Sequence, residues 1–178
     1  MRGEGSNGEM EMAYAFHQVG FQCIDVNIHD ILENNISWDD LKGIVWVGGF
    51  TFSDVLGAAS GWAHILQHNN QIKNELQKFY DREDTFSLGV CNGCQLMAKL
   101  GWVGDISLNQ NDSGRFESRW SRVKIVDEDN IFFKGMKDCV FGIYSAHGEG
   151  KMCITNKNND KNIQSFPMRY VDHEDEIT

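Results

Sequence analysis

The chain has 178 residues, a formal net charge of −10 and a hydrophobic fraction of 41%, which predicts a single globular domain with a hydrophobic core. No apolar run approaches the ~20 residues that span a bilayer, and no apolar stretch follows the first residues, so neither a membrane partner nor a secretory signal is expected. The negative charge would repel phosphate backbones, which argues against nucleic acid as a partner.

The first part of the chain predicts helices alternating with strands. Residues 6–9 have the pattern of a capping box, and the helix behind them is expected to end at Gly20. A strand is predicted over residues 21–28, followed by a short polar helix at residues 37–42. Residues 43–47 form a continuous apolar run, which is typical of a central parallel strand covered on both faces.

The alternation continues to the middle of the chain and then changes. Residues 53–80 are predicted to be mostly helical with a break at 68–70, and residues 85–90 form a second apolar strand that leads directly into a helix. This order predicts an open α/β sheet with right-handed crossovers. Beyond residue 101, four strands with little helix between them are expected at residues 115–126, 140–146, 151–155 and 164–171. The Asn-rich residues 156–160 are interpreted as a solvated turn.

The clearest chemical pattern is G-V-C-N-G-C-Q at residues 89–95, where the second apolar strand meets a helix. A nucleophile at such a junction stands exposed on a tight turn, as in Gly-x-Ser-x-Gly hydrolases. The helix N-terminus favours the thiolate form of Cys91, which is the reactive form. The N–H of Asn92 is expected to point at the oxyanion of a tetrahedral intermediate. One such donor stabilises the transition state by ~3 kcal/mol.

A second donor is predicted in the loop that follows the strand at residues 43–47. Gly48 and Gly49 lie at the carboxyl edge of the same sheet, where ligands of open α/β sheets bind. Glycines at that edge let backbone N–H groups approach a substrate without interference from side chains. The two loops together therefore predict an oxyanion site beside Cys91.

These residues resemble the class I glutamine amidotransferases. The motif at 89–95 is similar to the family's nucleophile motif, and four further segments follow in the family's order: E-G-S-N-G at 4–8, V-G-G-F-T-F-S-D-V-L-G at 47–57, S-G-R-F-E-S-R-W at 113–120 and S-A-H-G-E-G at 145–150. Within the family, the set is most similar to the glutaminase domains of phosphoribosylformylglycinamidine synthases of the large single-chain form. The resemblance covers nearly the whole chain.

The resemblance implies a glutaminase domain over residues 1–178, with a flavodoxin-like α/β fold whose open, mostly parallel sheet is flanked by helices. Cys91 would attack the side-chain amide of L-glutamine, the amides of Gly49 and Asn92 would hold the oxyanion, and ammonia would leave before water hydrolyses the thioester. The residues that the resemblance places around glutamine are Gly48, Phe50, Gln95, Asn111, Ser113, Arg115, Phe116 and His147. Arg119 could also line the glutamine pocket, and for Arg115 and Arg119 a solvated strand face with cross-strand ion pairs is the alternative.

In such enzymes, the ammonia passes to a synthetase domain of the same full-length chain. That domain uses ATP and magnesium to convert formylglycinamide ribonucleotide to formylglycinamidine ribonucleotide in purine biosynthesis. It lies outside these 178 residues. The resemblance implies no cofactor and no metal in the glutaminase domain itself.

Two features depart from the family pattern. The family's general base lies in a His-Pro-Glu motif, whereas the single proline here, Pro167, follows Phe166. The family also begins with an apolar strand, where this chain has only three residues. We therefore expect a fragment, truncated at both ends, with little or no glutaminase activity of its own. His147 and Glu149 imitate the His-x-Glu arrangement, but a structural or substrate-side role is favoured for His147.

Two other functions remain open. A domain with the cysteine turn but without the base would be an interaction module that binds glutamine without cleaving it. Cys91 and Cys94 also form a C-x-x-C pair, which occurs in redox proteins and in half of a zinc site. The surrounding glycine and glutamine positions fit the amidotransferase better, and Cys94 is expected to pack behind the turn.

The remaining cysteines and the tryptophans are interpreted as packing residues. Cys23, Cys139 and Cys153 are expected to be small buried hydrophobic residues, and the five tryptophans to be core or interface anchors. The odd number of cysteines, in a chain long enough to fold without disulfides, predicts reduced thiols and a cytoplasmic location.

Overall fold

The computed structural model of the chain describes residues 1–155 and 166–178. These residues belong to two compact units, the first formed by residues 1–108 and 152–155 and the second by residues 109–151 together with 166–178. The predicted turn at 156–160 and residues 164–165 of the last predicted strand lie outside the described residues.

The described residues contain nine strands and five α-helices. In chain order they are β1 (Ser6–Asn7), α1 (Glu9–Gln18), α2 (Ile28–Leu32), β2 (Gly43–Trp46), β3 (Gly48–Gly49), α3 (Ser60–His68), α4 (Asn70–Tyr80), β4 (Phe86–Gly89), α5 (Asn92–Leu100), β5 (Ile106–Asn109), β6 (Glu117–Ile125), β7 (Val140–His147), β8 (Lys151–Ile154) and β9 (Met168–Val171). Two short 3-10 helices cover Trp38–Asp40 and Thr51–Asp54. No helix in the described part of the chain is long and apolar enough to cross a membrane.

Strand pairing in the first unit places two loops at one sheet edge. Strands β2 and β4 pair in parallel, from Gly43 opposite Phe86 to Trp46 opposite Gly89. Their carboxyl ends therefore lie side by side, and the loops that follow them begin at the same edge. Strands β1 and β3 form a short antiparallel pair, and β5 pairs with β8.

The core of the first unit lies between β2 and the helices. Trp46 of β2 and Trp62 of α3 are fully buried, and their rings meet edge to face with centroids 5.6 Å apart. Leu66 and Leu96 are also fully buried in this cluster. Full burial of each such side chain contributes about 2–3 kcal/mol to the stability of the fold. These contacts therefore hold β2 and α5 rigidly in place.

The helix at the start of the chain is confirmed, but its predicted cap is wrong. Gly20, with φ +95°, ends α1 as expected. The N-cap is Gly8, and no side chain caps the helix. Ser6 lies in β1, where its hydroxyl accepts from the N–H of Gly3 at 3.0 Å and bonds the hydroxyl of Thr51 at 2.9 Å. The Ser6 side chain is therefore used by the neighbouring loop and not by the helix.

The predicted strand over residues 21–28 is also wrong. Within the described residues, its only ladder contact is a single parallel bridge between Asn27 and Arg2. Asn27 instead starts α2, because its side chain accepts from the N–H of Asp30 while the Asp30 carboxylate accepts from the N–H of Asn27. This capping box fixes a helix start at the place where the apolar pattern predicts strand.

The other helices and strands that were predicted for the first unit are confirmed. The polar helix at 37–42 is the single 3-10 turn Trp38–Asp40, and the break between α3 and α4 falls at Asn69. The side chain of Asn69 caps α4 by accepting from the N–H groups of Gln71 and Ile72. Both apolar strands, β2 and β4, and the helix α5 are present at the predicted positions.

The second unit is built on a three-stranded antiparallel sheet in the order β7-β6-β9. The strands predicted beyond residue 101 are confirmed where the structure describes them, and β5 is an additional strand that the pattern did not predict. Val123 and Ile125 are buried on one face of β6. Trp120 lies on the other face and is 59% exposed, whereas the other four tryptophans are buried as predicted. The Trp120 ring meets that of Tyr144 edge to face at 4.8 Å.

Candidate active site

Cys91 occupies a strained turn between β4 and α5. Its backbone has φ +52° and ψ −111°, a conformation that side-chain-bearing residues adopt only where the surroundings enforce it. The N–H of Val90 donates to the carbonyl of Trp46 at 3.0 Å, and the N–H of Gly93 donates to the carbonyl of Val90 at 2.9 Å. The cysteine is exposed, so the predicted strand-to-helix elbow is present and carries an accessible cysteine.

The glycines of the motif are required by packing. A Cβ at Gly93 would lie 2.0 Å from the carbonyl oxygen of Trp46, which is backbone of β2 and cannot move aside. A Cβ at Gly89 would lie 2.7 Å from the carbonyl oxygen of Gly93. Helix α5 therefore approaches the sheet closely only because both positions lack a side chain.

The glycine loop after β2 lies next to the nucleophile. A Cβ at Gly48 would stand 3.2 Å from the Cβ of Cys91. Gly49 has φ +119°, and a side chain there would meet the carbonyl oxygen of Gly5 at 2.6 Å. The N–H of Phe50 donates to that same carbonyl at 2.9 Å, and the Phe50 ring is 56% exposed. The segment around Gly5 thus supports the loop from behind.

The side chain of Asn92 links the elbow to the glycine loop. It is 1% exposed, its Oδ1 accepts from the N–H of Thr51 at 3.2 Å, and its Nδ2 donates to Oε1 of Gln95 at 2.8 Å. Thr51 is also 1% exposed. Gln95, which the resemblance places around glutamine, is therefore held on the first turn of α5 by a buried partner.

The two cysteines of the motif lie in different environments. Burial, and to a smaller extent the charge of Cys91, raises the pKa of the Cys94 thiol. Cys94 is half-buried behind the turn, as predicted. Among the described residues, no group of three His, Cys, Asp or Glu side chains is arranged to hold a metal ion.

The interpretation of the other cysteines as buried is wrong for two of them. Cys23 and Cys139 are exposed, and Cys153 is half-buried. Within the part of the chain that the structure describes, the segment around Cys23 pairs through a single bridge, and Cys139 directly precedes β7.

In the second unit, Asn111 connects several of the residues that the resemblance places around glutamine. Its Nδ2 donates to the carbonyls of His147 at 2.8 Å and Arg115 at 3.0 Å. Its Oδ1 lies 2.9 Å from Nδ1 of His147 and accepts from the N–H of Gly150 at 3.2 Å. The N–H of Arg115 also donates to the hydroxyl of Ser113 at 3.4 Å. Asn111 therefore fixes the end of β7 against the loop before β6.

The start of β6 carries an ion pair on an exposed surface. The Ser113 hydroxyl and the Arg119 guanidinium both hydrogen-bond the Glu117 carboxylate and lower its pKa, the hydroxyl having the larger effect. Phe116 is 56% exposed. Arg119 therefore pairs with Glu117 within β6, whereas the alternative considered for this face was ion pairing across strands.

Sequence comparison places the chain in a known family. The sequence profile of the CobB/CobQ-like glutamine amidotransferase domain matches residues 1–178. The chain belongs to this family. It is 47% identical over 190 residues to a phosphoribosylformylglycinamidine synthase of Dictyostelium discoideum, a match that includes 100% of this chain. It is 40% identical over 194 residues to the phosphoribosylformylglycinamidine synthase of Homo sapiens, a match that includes 97% of this chain. It spans 14% of the length of each of these relatives.

Comparison of the fold gives a consistent result. The structure of PurLQS from Thermotoga maritima superposes with a TM-score of 0.76 at 23% identity, over 99% of this chain and 76% of that one. A glutamine amidotransferase from the same organism superposes with a TM-score of 0.52 at 21% identity, over 88% of this chain and 62% of that one. The α/β class and the amidotransferase type predicted from the sequence are therefore confirmed.

Two residues of this amidotransferase domain were missed at the sequence level, Thr51 and Ser6. They belong to the matched segments at 47–57 and 4–8, but the pattern assigned no role to Thr51 and only a helix-capping role, which is wrong, to Ser6. Both residues contribute to the site through the hydrogen bond between Thr51 and Asn92, which are 41 positions apart in the sequence. A buried asparagine next to the nucleophile is the signal that could have prompted a search for such a partner, because a buried amide requires hydrogen bonds.

Proposed function

We propose that the chain is the glutaminase part of a phosphoribosylformylglycinamidine synthase. The observation that carries this proposal is the exposed Cys91 on a strained turn, with Gly48 of the glycine loop so near that a Cβ there would lie 3.2 Å from the Cβ of Cys91. Relatives that are 38–47% identical are phosphoribosylformylglycinamidine synthases by name. An elbow nucleophile beside a loop of backbone donors is suited to acyl transfer.

The proposed reaction begins with attack by the Cys91 sulfur on the side-chain amide carbon of L-glutamine. A C–S bond forms while the carbonyl electron pair moves to oxygen, and the N–H groups of Gly49 and Asn92 stabilise that oxyanion. The C–N bond then breaks, and the nitrogen takes up the proton of the thiol and leaves as ammonia. Water hydrolyses the γ-glutamyl thioester, which releases glutamate and restores the thiol.

The rest of the proposed pathway involves a second domain of the same polypeptide. The ammonia would serve an ATP- and magnesium-dependent synthetase domain that forms formylglycinamidine ribonucleotide in the cytoplasm. The remaining proposed glutamine contacts are Gly48, Phe50, Gln95, Asn111, Ser113, Arg115, Phe116 and His147. The buried bond between Asn92 and Gln95, and the Asn111–His147 bond, support fixed positions for part of this set.

A chimera tests the proposal with an internal control. The matched segment of the Dictyostelium synthase, 47% identical, is replaced by this chain, and product formation is measured with glutamine and separately with ammonium. We expect both activities in the chimera, whereas Cys91→Ala should keep the ammonium-dependent activity and lose at least ~99% of the glutamine-dependent one. A chimera that works with ammonium but not with glutamine, or a Cys91→Ala form that still uses glutamine, would contradict the proposal.

A further inference from the structure

The side-chain amide of Asn92 has no part in the proposed reaction, which uses only the backbone N–H of this residue. Nevertheless the side chain is 1% exposed and hydrogen-bonded at both ends. Burying a polar side chain costs free energy unless its hydrogen bonds are made. We therefore expect a buried amide to occur where its hydrogen bonds serve the structure or the reaction. The bonds of Asn92 join two different loops.

The hydrogen-bond pattern fixes the orientation of both amides. A backbone N–H can only donate, so the Asn92 atom that faces Thr51 must be the oxygen. The other atom is then the NH₂ group, and the Gln95 atom that it faces must be the oxygen Oε1. The N–H of Thr51 therefore determines, through Asn92, the orientation of the Gln95 side chain.

The bond to Thr51 holds the loop that contains the second predicted oxyanion donor. Thr51 is two residues beyond Gly49, and its hydroxyl is fixed from the other side by Ser6 at 2.9 Å. Ser6 pairs directly with Gly49 in the β1–β3 ladder. The glycine loop is thus held by the β1–β3 pairing at Gly49 and by the Asn92 side chain at Thr51.

We infer that Asn92 is a positioning residue whose side chain couples the two donors of the oxyanion hole, the N–H groups of Asn92 and Gly49. The backbone of Asn92 supplies one donor, and its side chain sets the position of the Gly49 loop that supplies the other. Because an oxyanion donor contributes only when it is aligned with the developing charge, loss of this coupling should slow acyl transfer selectively. The inference rests on the proposed function, since it assigns a role within that reaction.

The test separates acyl transfer from simple reactivity of the thiol. Cys91 is acylated with the γ-(p-nitrophenyl) ester of L-glutamate, whose leaving group departs as p-nitrophenolate without needing a proton. In parallel, Cys91 is alkylated with iodoacetamide, a displacement that generates no oxyanion. The variant is Asn92→Leu, which keeps the backbone N–H and the volume, and the matched control is Asn74→Leu on the exposed face of α4.

For Asn92→Leu we expect acylation to slow by about 10- to 100-fold while alkylation stays within about twofold of the wild type. Asn74→Leu should leave both rates unchanged. If acylation by Asn92→Leu equals that of the wild type, or if both rates fall together, the inference is overturned. Asn92→Ala, which removes the same bonds without introducing apolar bulk, is measured in the same way if the leucine variant does not fold.

Amide hydrogen exchange tests, without any chemical reaction at Cys91, whether the Asn92 side chain holds the glycine loop in place. In Asn92→Leu, the peptide that contains residues 48–52 should exchange faster, while the peptide from α4 should be unchanged. Unchanged exchange in the glycine loop would overturn the coupling even if the rates differ. A wild-type chain that is never acylated by the ester, but whose loop does respond to Asn92→Leu, would count against the proposed function and leave the structural coupling in place.

Discussion

At the scale of single residues, neighbouring groups of the same type acquire different chemistry from their surroundings. Cys91 and Cys94 are separated by one turn of helix, but Cys91 is exposed and Cys94 is half-buried. Burial disfavours the thiolate, and the pKa of Cys94 is raised as a result. The thiolate is the nucleophile, so the two cysteines should react at different rates.

Alkylation as a function of pH tests this difference. Because the pKa of Cys94 is raised, its thiol should stay protonated through neutral pH and react only above the ordinary cysteine range. We therefore expect iodoacetamide at neutral pH to label Cys91 at least ~10-fold faster than Cys94 in the folded chain. Denatured chain, in which both cysteines are exposed, serves as the control. Equal labelling in the folded chain would refute this assignment.

A second residue-scale prediction concerns His147. Nδ2 of Asn111 donates to two carbonyls and its Oδ1 accepts from the N–H of Gly150. The orientation of the Asn111 amide is therefore fixed, and Nδ1 of His147 must donate to Oδ1. When neutral, His147 should carry its proton on Nδ1 and leave Nε2 as an acceptor.

Long-range ¹H–¹⁵N correlation spectra report this tautomer directly. His147 should show the Nδ1–H pattern in the wild type, and Asn111→Leu should shift it toward Nε2–H. His68 is the matched control, because its Nδ1 faces the carbonyl of His64 at 2.9 Å and must donate in both proteins. An Nε2–H pattern for His147 in the wild type would refute the assignment.

At the scale of elements, the contact of α5 with β2 determines where the nucleophile stands. Gly93 lies directly against the carbonyl of Trp46, and the Trp46 ring is fully buried among the helices. A side chain at position 93 would push the helix away from the strand. The elbow and the core are therefore supported by the same contact.

Two alanine substitutions of glycine should have opposite effects on stability. Gly93→Ala places a Cβ 2.0 Å from a backbone carbonyl, so we expect a loss of about 1–3 kcal/mol. Gly61→Ala, within α3 and with its nearest neighbour 4.0 Å from the added Cβ, should gain about 0.5–1 kcal/mol because glycine is a poor helix former. Denaturant unfolding measures both, and a stabilising Gly93→Ala would contradict the close packing of α5 on β2.

The elements differ in how far the sequence predicts them. Strand β2, helix α5 and the break at Asn69 follow from local patterns, and all are found in place. Residues 21–28 have the composition of a strand, but strand formation depends on a neighbouring strand, and among the described residues they form one bridge, to Arg2. The two-residue strands β1 and β3 were not predicted because they exist only through pairing with each other.

In the candidate site, too, local patterns predict the segments but not the contacts between distant residues. The elbow at Cys91 and the glycine loop could be predicted because each follows an apolar strand within a few residues. The bonds of Asn92 to Thr51 and of Asn111 to His147 join positions 41 and 36 residues apart. Such contacts depend on how the strands are placed, so no local pattern indicates them.

At the scale of the whole molecule, this chain spans 14% of the relatives that it matches. The family assignment explains the elbow and the glycine loop, and the proposed function depends first on a glutamine site at Cys91. A module that binds glutamine without cleaving it is the alternative to the proposed enzyme, and glutamine-dependent activity of the chimera separates the two. Both require a glutamine site at Cys91, and only the proposed enzyme also requires acyl transfer from it.

The most direct measurement is labelling of the chain by the γ-chloroketone analogue of L-glutamine, with mass spectrometric mapping of all five cysteines. We expect fast labelling of Cys91, protection by L-glutamine but not by D-glutamine, and slow labelling of Cys23 and Cys139, which are also exposed. Labelling spread evenly over the exposed cysteines, without protection by L-glutamine, would contradict a glutamine site at Cys91.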